Sequence, residues 1–158
     1  MSQNLICNGG FEDPVIDNGN NYQQFSSIPC WTSPYNSFEL NKNQDGMTGQ
    51  GLDLDESNQA NQYFDQTVNV AEAGNYFLRL DYTGNQMQAE PPSMNMFEVL
   101  FNGAVIFDIT PEDLELHTLT ATVSTTAGNN VLRLKNKSTK PGYGAFIDNV
   151  GLYKIIYK

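Results

Sequence analysis

Tyr76-Phe77-Leu78-Arg79-Leu80-Asp81-Tyr82, closing at Thr83-Gly84-Asn85, decides the fold class. Tyr76, Leu78, Leu80 and Tyr82 alternate with Phe77, Arg79 and Asp81, the period of two that a half-buried β-strand requires. The pattern repeats downstream, where Phe97, Val99 and Phe101 alternate with Glu98, Leu100 and Asn102. It breaks at Asn102-Gly103, a pair that tolerates the left-handed backbone of a tight hairpin turn, and resumes over Ala104 to Ile109. Outward from these segments, strands are predicted at Gln3 to Cys7, Ser37 to Leu40, Gly51 to Leu54, Tyr63 to Val70, Leu116 to Val123, Asn130 to Lys135 and Ala145 to Tyr157, each bounded by Gly, Asn, Pro or Ser. Only Pro111 to Leu114 reads as a helical turn, with Thr110 as its cap. Nine or ten short strands without a long helical period predict an all-β, two-sheet antiparallel β-sandwich or jelly roll. Long polar loops are expected over Asp13 to Ile28, Asn41 to Gln50 and Asn85 to Asn95.

The 158 residues suit one domain, 1–158, whose core needs neither metal nor disulfide merely to reach stability. Eighteen acidic residues against 8 basic ones give a net charge of -10, which argues against nucleic acid and anionic membranes as partners, since both need clustered Lys and Arg. Apolar runs such as Phe97 to Phe101 are far short of the ~20 residues of a membrane span, so no membrane insertion is expected. No charged-then-apolar leader precedes Asn4, leaving an intracellular site and a removed leader as alternatives. Cys7 and Cys30 are the only cysteines. They read equally as a disulfide and as two buried free thiols, with an oxidising compartment favouring the bridge. Asn136-Lys137-Ser138 has the form of a glycosylation sequon.

The alternation also sorts the faces. Leu78, Leu80, Val99, Phe101, Leu132 and Leu134 point to the core, leaving Arg79, Asp81, Glu98, Arg133 and Lys135 outward. With these strands as neighbours in one sheet, Arg79, Asp81, Glu98 and Arg133 form a polar floor able to hydrogen-bond sugar hydroxyls; the plainer reading is a lattice of cross-strand ion pairs. An aromatic to cover a pyranose ring would come from Tyr35 or Tyr143, placed on loops by Pro and Gly neighbours, with Tyr63 and Tyr82 as further candidates. Tyr82 is in phase with the core, and Trp31 is expected to pack the domain.

Three motifs carry a resemblance to a known family: Asn4-Leu5-Ile6-Cys7-Asn8-Gly9-Gly10-Phe11-Glu12, Ile28-Pro29-Cys30-Trp31-Thr32, and Ala145-Phe146-Ile147-Asp148-Asn149-Val150. With Gly51-Leu52-Asp53-Leu54-Asp55, Tyr63 to Val68, Gly74-Asn75-Tyr76 and Leu80-Asp81-Tyr82 between them, the order resembles secreted modules of the galactose-binding-like superfamily. It is similar to cell-wall proteins that open with Asn-Gly-x-Phe-Glu, and more distantly to xylan- and glucan-binding modules of glycoside hydrolases. The resemblance implies a jelly roll whose first and last strands meet, with a structural Ca²⁺ at that junction. It assigns the ion to the carboxylates of Glu12 and Asp148 and to backbone carbonyls of Gly10 and near Gln50, a mixed oxygen shell of the kind calcium takes. The alternative is that Glu12 and Asp148 only accept turn hydrogen bonds.

Other constellations are weaker. Asn41, Asn43, Asp45 and Gly46 imitate the opening of an EF-hand loop, but the twelfth position is Leu52 rather than Glu. Asp53, Asp55 and Glu56 read as a solvated strand face. His117, the sole histidine, lacks partners for a metal site or a triad and reads as structural. Asp81 with Glu98 is the carboxylate pair a glycosidase reading would use; a non-enzymatic role is expected. The resemblance implies a calcium-stabilised, lectin-like module that binds a polysaccharide or glycan outside the cell or at its surface. A structural or adhesion module that binds a protein partner or self-associates is the alternative.

Overall fold

A computed structural model describes residues 2–44, 46–55, 61–85, 91–139 and 142–157. Among them run ten strands: β1 Tyr22–Phe25, β2 Phe38–Lys42, β3 Gln50–Asp53, β4 Tyr63–Val70, β5 Gly74–Thr83, β6 Phe97–Phe101, β7 Ala104–Ile109, β8 His117–Thr125, β9 Gly128–Asn136 and β10 Phe146–Lys154. They form a six-stranded sheet, ordered β1-β2-β3-β10-β5-β8, and a four-stranded sheet, ordered β4-β9-β6-β7. Every pairing is antiparallel. The inner faces supply the core: Leu40, Leu52, Leu78, Leu80, Ile147 and Leu152 from the larger sheet meet Phe64, Phe97, Val99, Leu132 and Leu134 from the smaller. Each of these side chains is fully buried, worth about 2 kcal/mol apiece in apolar area removed from water. Phe38 packs on Phe64, and Tyr82 meets Phe97 edge-on, so aromatic pairs tie sheet to sheet.

The alternation in β5 and the β6–β7 hairpin is as the sequence predicts. Asn102 and Gly103 take φ of 50° and 81°, the left-handed pair such a turn needs. Several expectations are corrected. Gln3 to Cys7 is not a strand; it lies against β10 through Leu5 N–H donating to the Leu152 carbonyl at 2.9 Å. Side chains replace the other ladder bonds: Asn4 Oδ1 accepts from the Ile6 and Leu152 amides, and the Gln66 amide clasps both backbone groups of Cys7. The predicted loop 13–28 contains β1, a half-exposed edge strand whose polar composition hides it. The predicted helical turn over 111–114 is absent, residues 112–115 making bends instead, whereas Pro92–Asn95, inside a predicted loop, forms a 3₁₀ turn. Asp53 and Asp55 are buried, not solvated; Asp45 and Glu56 lie outside the described residues, as do residues 86–90 of the third predicted loop.

Candidate functional site

The chain's opening and closing segments meet as the resemblance implies. A disulfide joins Cys7 to Cys30, resolving the two readings of these cysteines in favour of the bridge. Beside it the 8–12 turn is held by Trp31 Nε1–H donating to the Asn8 carbonyl at 3.1 Å, by Phe11 stacking on Trp31, and by Val150 N–H donating to the Gly9 carbonyl. The Gln50 side chain fastens the next residues: its amide donates to the carbonyls of Phe11 and Pro14 and accepts from the Ile16 N–H, all within 2.9 Å. Glu12 Oε1 accepts from the Gln50 backbone amide at 2.9 Å. Gly49 makes room for this: with φ of +77°, it would place any side chain 2.2 Å from that same oxygen.

Asp148 faces this turn from β10. A bulge follows it, with Asn149 in the left-handed region and register lost before Gly151. Oδ1 accepts from the Asn149 amide at 2.7 Å, while Oδ2 is fully buried with no hydrogen-bond partner. Desolvation, reinforced by the charges of Glu12 and Asp81, raises the Asp148 carboxyl from 3.8 to about 7. Asp81, directly across from Asp148 on β5, is saturated: it accepts from Arg79, Thr118 and Asn149. Gly10 sits in the same turn as Glu12, so the residues assigned to an ion, Gly10, Glu12, Gln50 and Asp148, lie together. Among the described residues no three acidic, histidine or cysteine side chains converge as a metal cage. A hard cation here would take Glu12, the orphaned oxygen of Asp148, carbonyls and waters, which fits calcium and leaves the buried oxygen satisfied.

The predicted polar floor does not exist as one surface. Arg79 and Asp81 stand on the outer face of the six-stranded sheet, whereas Glu98 and Arg133 stand on the outer face of the four-stranded one. The core lies between them, so Asp81 and Glu98 cannot act on one glycosidic bond. Arg133 forks onto Asp65 at 2.8 and 2.9 Å and covers the Tyr63 ring, and Glu98 lies between Lys135 and Lys137. This is the ion-pair lattice. Tyr35 is exposed on the 33–36 turn, and Tyr143 lies in the β9–β10 connection with its carbonyl accepting from Asn136. Asn136 of the sequon is itself buried, its amide committed to Asp55 and Tyr143. His117 bonds Asp113 and stacks on Tyr82, a structural role.

Two residues absent from the sequence prediction complete a different surface. Phe77, in phase with Arg79 and Asp81, is an exposed aromatic on the outer face of β5 and pairs with Tyr153 of β10. Gly151 lets the Tyr153 ring lie down: a Cβ there would sit 2.5 Å from it. Phe77, Tyr153, Arg79, Lys154 and Ile156 line an open groove of about 740 Å³. The signal was present in the sequence, a large apolar residue in an outward position. On the same face, Glu39 and Asp53 oppose one another on β2 and β3; burial, then Glu39 and Asp55, hold the Asp53 carboxyl well above the usual range.

No family model matches the sequence, and no curated protein matches it. Solved structures do. A family 35 carbohydrate-binding module from Clostridium thermocellum superposes at a TM-score of 0.53 with 17% identity, over 85% of this chain and 92% of that one. A family 35 module from Paenibacillus barcinonensis gives 0.54 at 15% identity over 86% and 100%. The CBM36-1 domain of a multidomain xylanase from the hindgut metagenome of Trinervitermes trinervoides gives 0.56 at 16% identity over 87% and 100%. The chain therefore shares the two-sheet, antiparallel jelly-roll fold of these modules.

Proposed function

We propose that this protein is a non-catalytic, calcium-stabilised carbohydrate-binding module acting outside the cell. The observation that carries the reading is the groove on the outer face of the six-stranded sheet. Phe77 and Tyr153 offer apolar ring faces for the C–H face of a pyranose, while Arg79, steadied by Asp81, stands beside them as a hydrogen-bond donor. The likeness of the fold to carbohydrate-binding modules supports the ligand class, and the disulfide supports an oxidising compartment.

Glu12 and Asp148 would hold the calcium, with carbonyls of the 10–12 turn and of the Gly49–Gln50 segment completing its shell. The ion's contribution is to neutralise the buried carboxylate and pin the opening turn to β10. That strand also carries Tyr153, so the ion steadies one wall of the groove without touching sugar. Asp81, fully engaged by three donors, positions Arg79. Titration with a panel of soluble plant, algal and bacterial glycans in calcium tests the reading. Binding of at least one glycan is expected, weakened about tenfold or more by Phe77→Ala, since stacking on an aromatic face is worth on the order of 1–2 kcal/mol. Absence of binding to the whole panel, or a Phe77→Ala variant that binds as well as the parent, overturns it.

A further inference from the structure

We infer that β8 is a docking edge for a second copy of this chain, through antiparallel β8–β8 pairing about a two-fold axis at Ala121. The six-stranded sheet ends at β8, which is bonded on one side to β5 in nine uninterrupted pairs from Gly74–Thr125 to Tyr82–His117. Among the described residues no strand pairs with its other side, which presents a row of backbone donors and acceptors. Proteins guard such edges with proline, charge, bulges or brevity. The other edges here carry these devices: β1 has four residues, β7 bulges against β6 and bears Asp108, and β4 is bridged at Asp65 by Thr32. From Thr118 to Ser124, β8 has no proline, no ionisable side chain and no bulge.

The sequence fits itself. Centred on Ala121, antiparallel pairing sets Thr120 against Thr122 and Thr118 against Ser124 on the outer face, where all four are exposed. Leu119 meets Val123 on the inner face, and Ala121 meets its own copy. Apolar positions thus pair with apolar ones and hydroxyls with hydroxyls, the cross-strand pairs that stabilise sheets, and the isologous geometry closes at two. Charge favours this contact over others. A chain of net charge -10 repels its copy across most of its surface, but this stretch contributes none of that charge. Leu116, packed by Gly46, lies outside the paired stretch.

Sedimentation velocity on the full chain, over rising concentration and at raised salt, is expected to show a monomer–dimer equilibrium independent of calcium. Thr120→Lys with Thr122→Lys places like charges across the axis without touching the core, and should raise the dissociation constant at least about tenfold. Because Cys7 and Cys30 are bonded to each other, Ala121→Cys adds the only free thiol. It should yield a disulfide-linked dimer on mild oxidation, whereas Ala127→Cys, beyond the paired stretch, should not. A parent chain that stays monomeric throughout, a lysine variant that dimerises as well as the parent, or equal cross-linking at positions 121 and 127 each overturns the inference. Glycan binding is not required for any of these results.

Discussion

Replacing Asp148 with asparagine exchanges a buried carboxylate oxygen that has no partner for a neutral amide that the charges of Glu12 and Asp81 no longer oppose. The folded carboxyl titrates at about 7, against 3.8 for an ordinary aspartate. A raised carboxyl means the folded state holds a proton that the unfolded state has released. Calcium-free stability therefore falls as pH rises from about 4 to about 7 and is flat above, by roughly 4 kcal/mol at ~1.4 kcal/mol for each tenfold change in proton affinity. Asp148→Asn removes that slope. In EDTA at pH 8 the variant should melt higher than the parent, by up to roughly 8–16 °C at about 2–4 °C per kcal/mol for a domain of this size. In calcium the gap narrows: the parent gains about 2.7 kcal/mol at a hundredfold excess over its dissociation constant, and the variant gains nothing. Differential scanning calorimetry in EDTA and in calcium, at pH 5 and pH 8, reads all four states. A variant less stable than the parent in EDTA at pH 8, or one that still gains stability from calcium, refutes the reasoning.

Removing the Cys7–Cys30 bond by paired serine substitution should cost about 3 kcal/mol in urea unfolding, the chain-entropy term for a separation of 23 residues. Gln50→Ala strips three hydrogen bonds from Phe11, Pro14 and Ile16 and should cost roughly 3 kcal/mol by the same assay, together with weakened calcium binding measured by titration. Arg133→Ala and Glu98→Ala, on the outer face of the smaller sheet, should each change stability by no more than about 1 kcal/mol and leave glycan titrations unchanged, because surface ion pairs contribute little.

The strands whose alternation is strict were readable because a period of two is a local property. Inward and outward positions of β5, β6 and β9 follow directly from it. What it does not carry is sheet membership: β5 and β6 are successive strands, yet they lie in different sheets, which separates Asp81 from Glu98. The opening apolar run Leu5-Ile6-Cys7 reads as a strand, but its backbone is satisfied by Asn4 and Gln66 side chains, the latter reaching across 59 residues. Burial of Asp53 and Asp148 arises likewise from segments distant in sequence. The ion-site residues were legible only through the ordered motifs, since nothing local in Glu12 or Asp148 announces that the two face one another. Phe77 does not stand out in the sequence because its neighbours in phase, Arg79 and Asp81, are charged and give the outward face a polar pattern.

The most direct test is isothermal titration of the folded, calcium-loaded protein with the soluble glycan panel, run beside the Phe77→Ala variant. Binding by the parent that the variant loses about tenfold or more is the predicted result. Heats of dilution alone for every glycan, or equal affinity in the two proteins, would contradict the assignment of the Phe77–Tyr153 groove as a carbohydrate site.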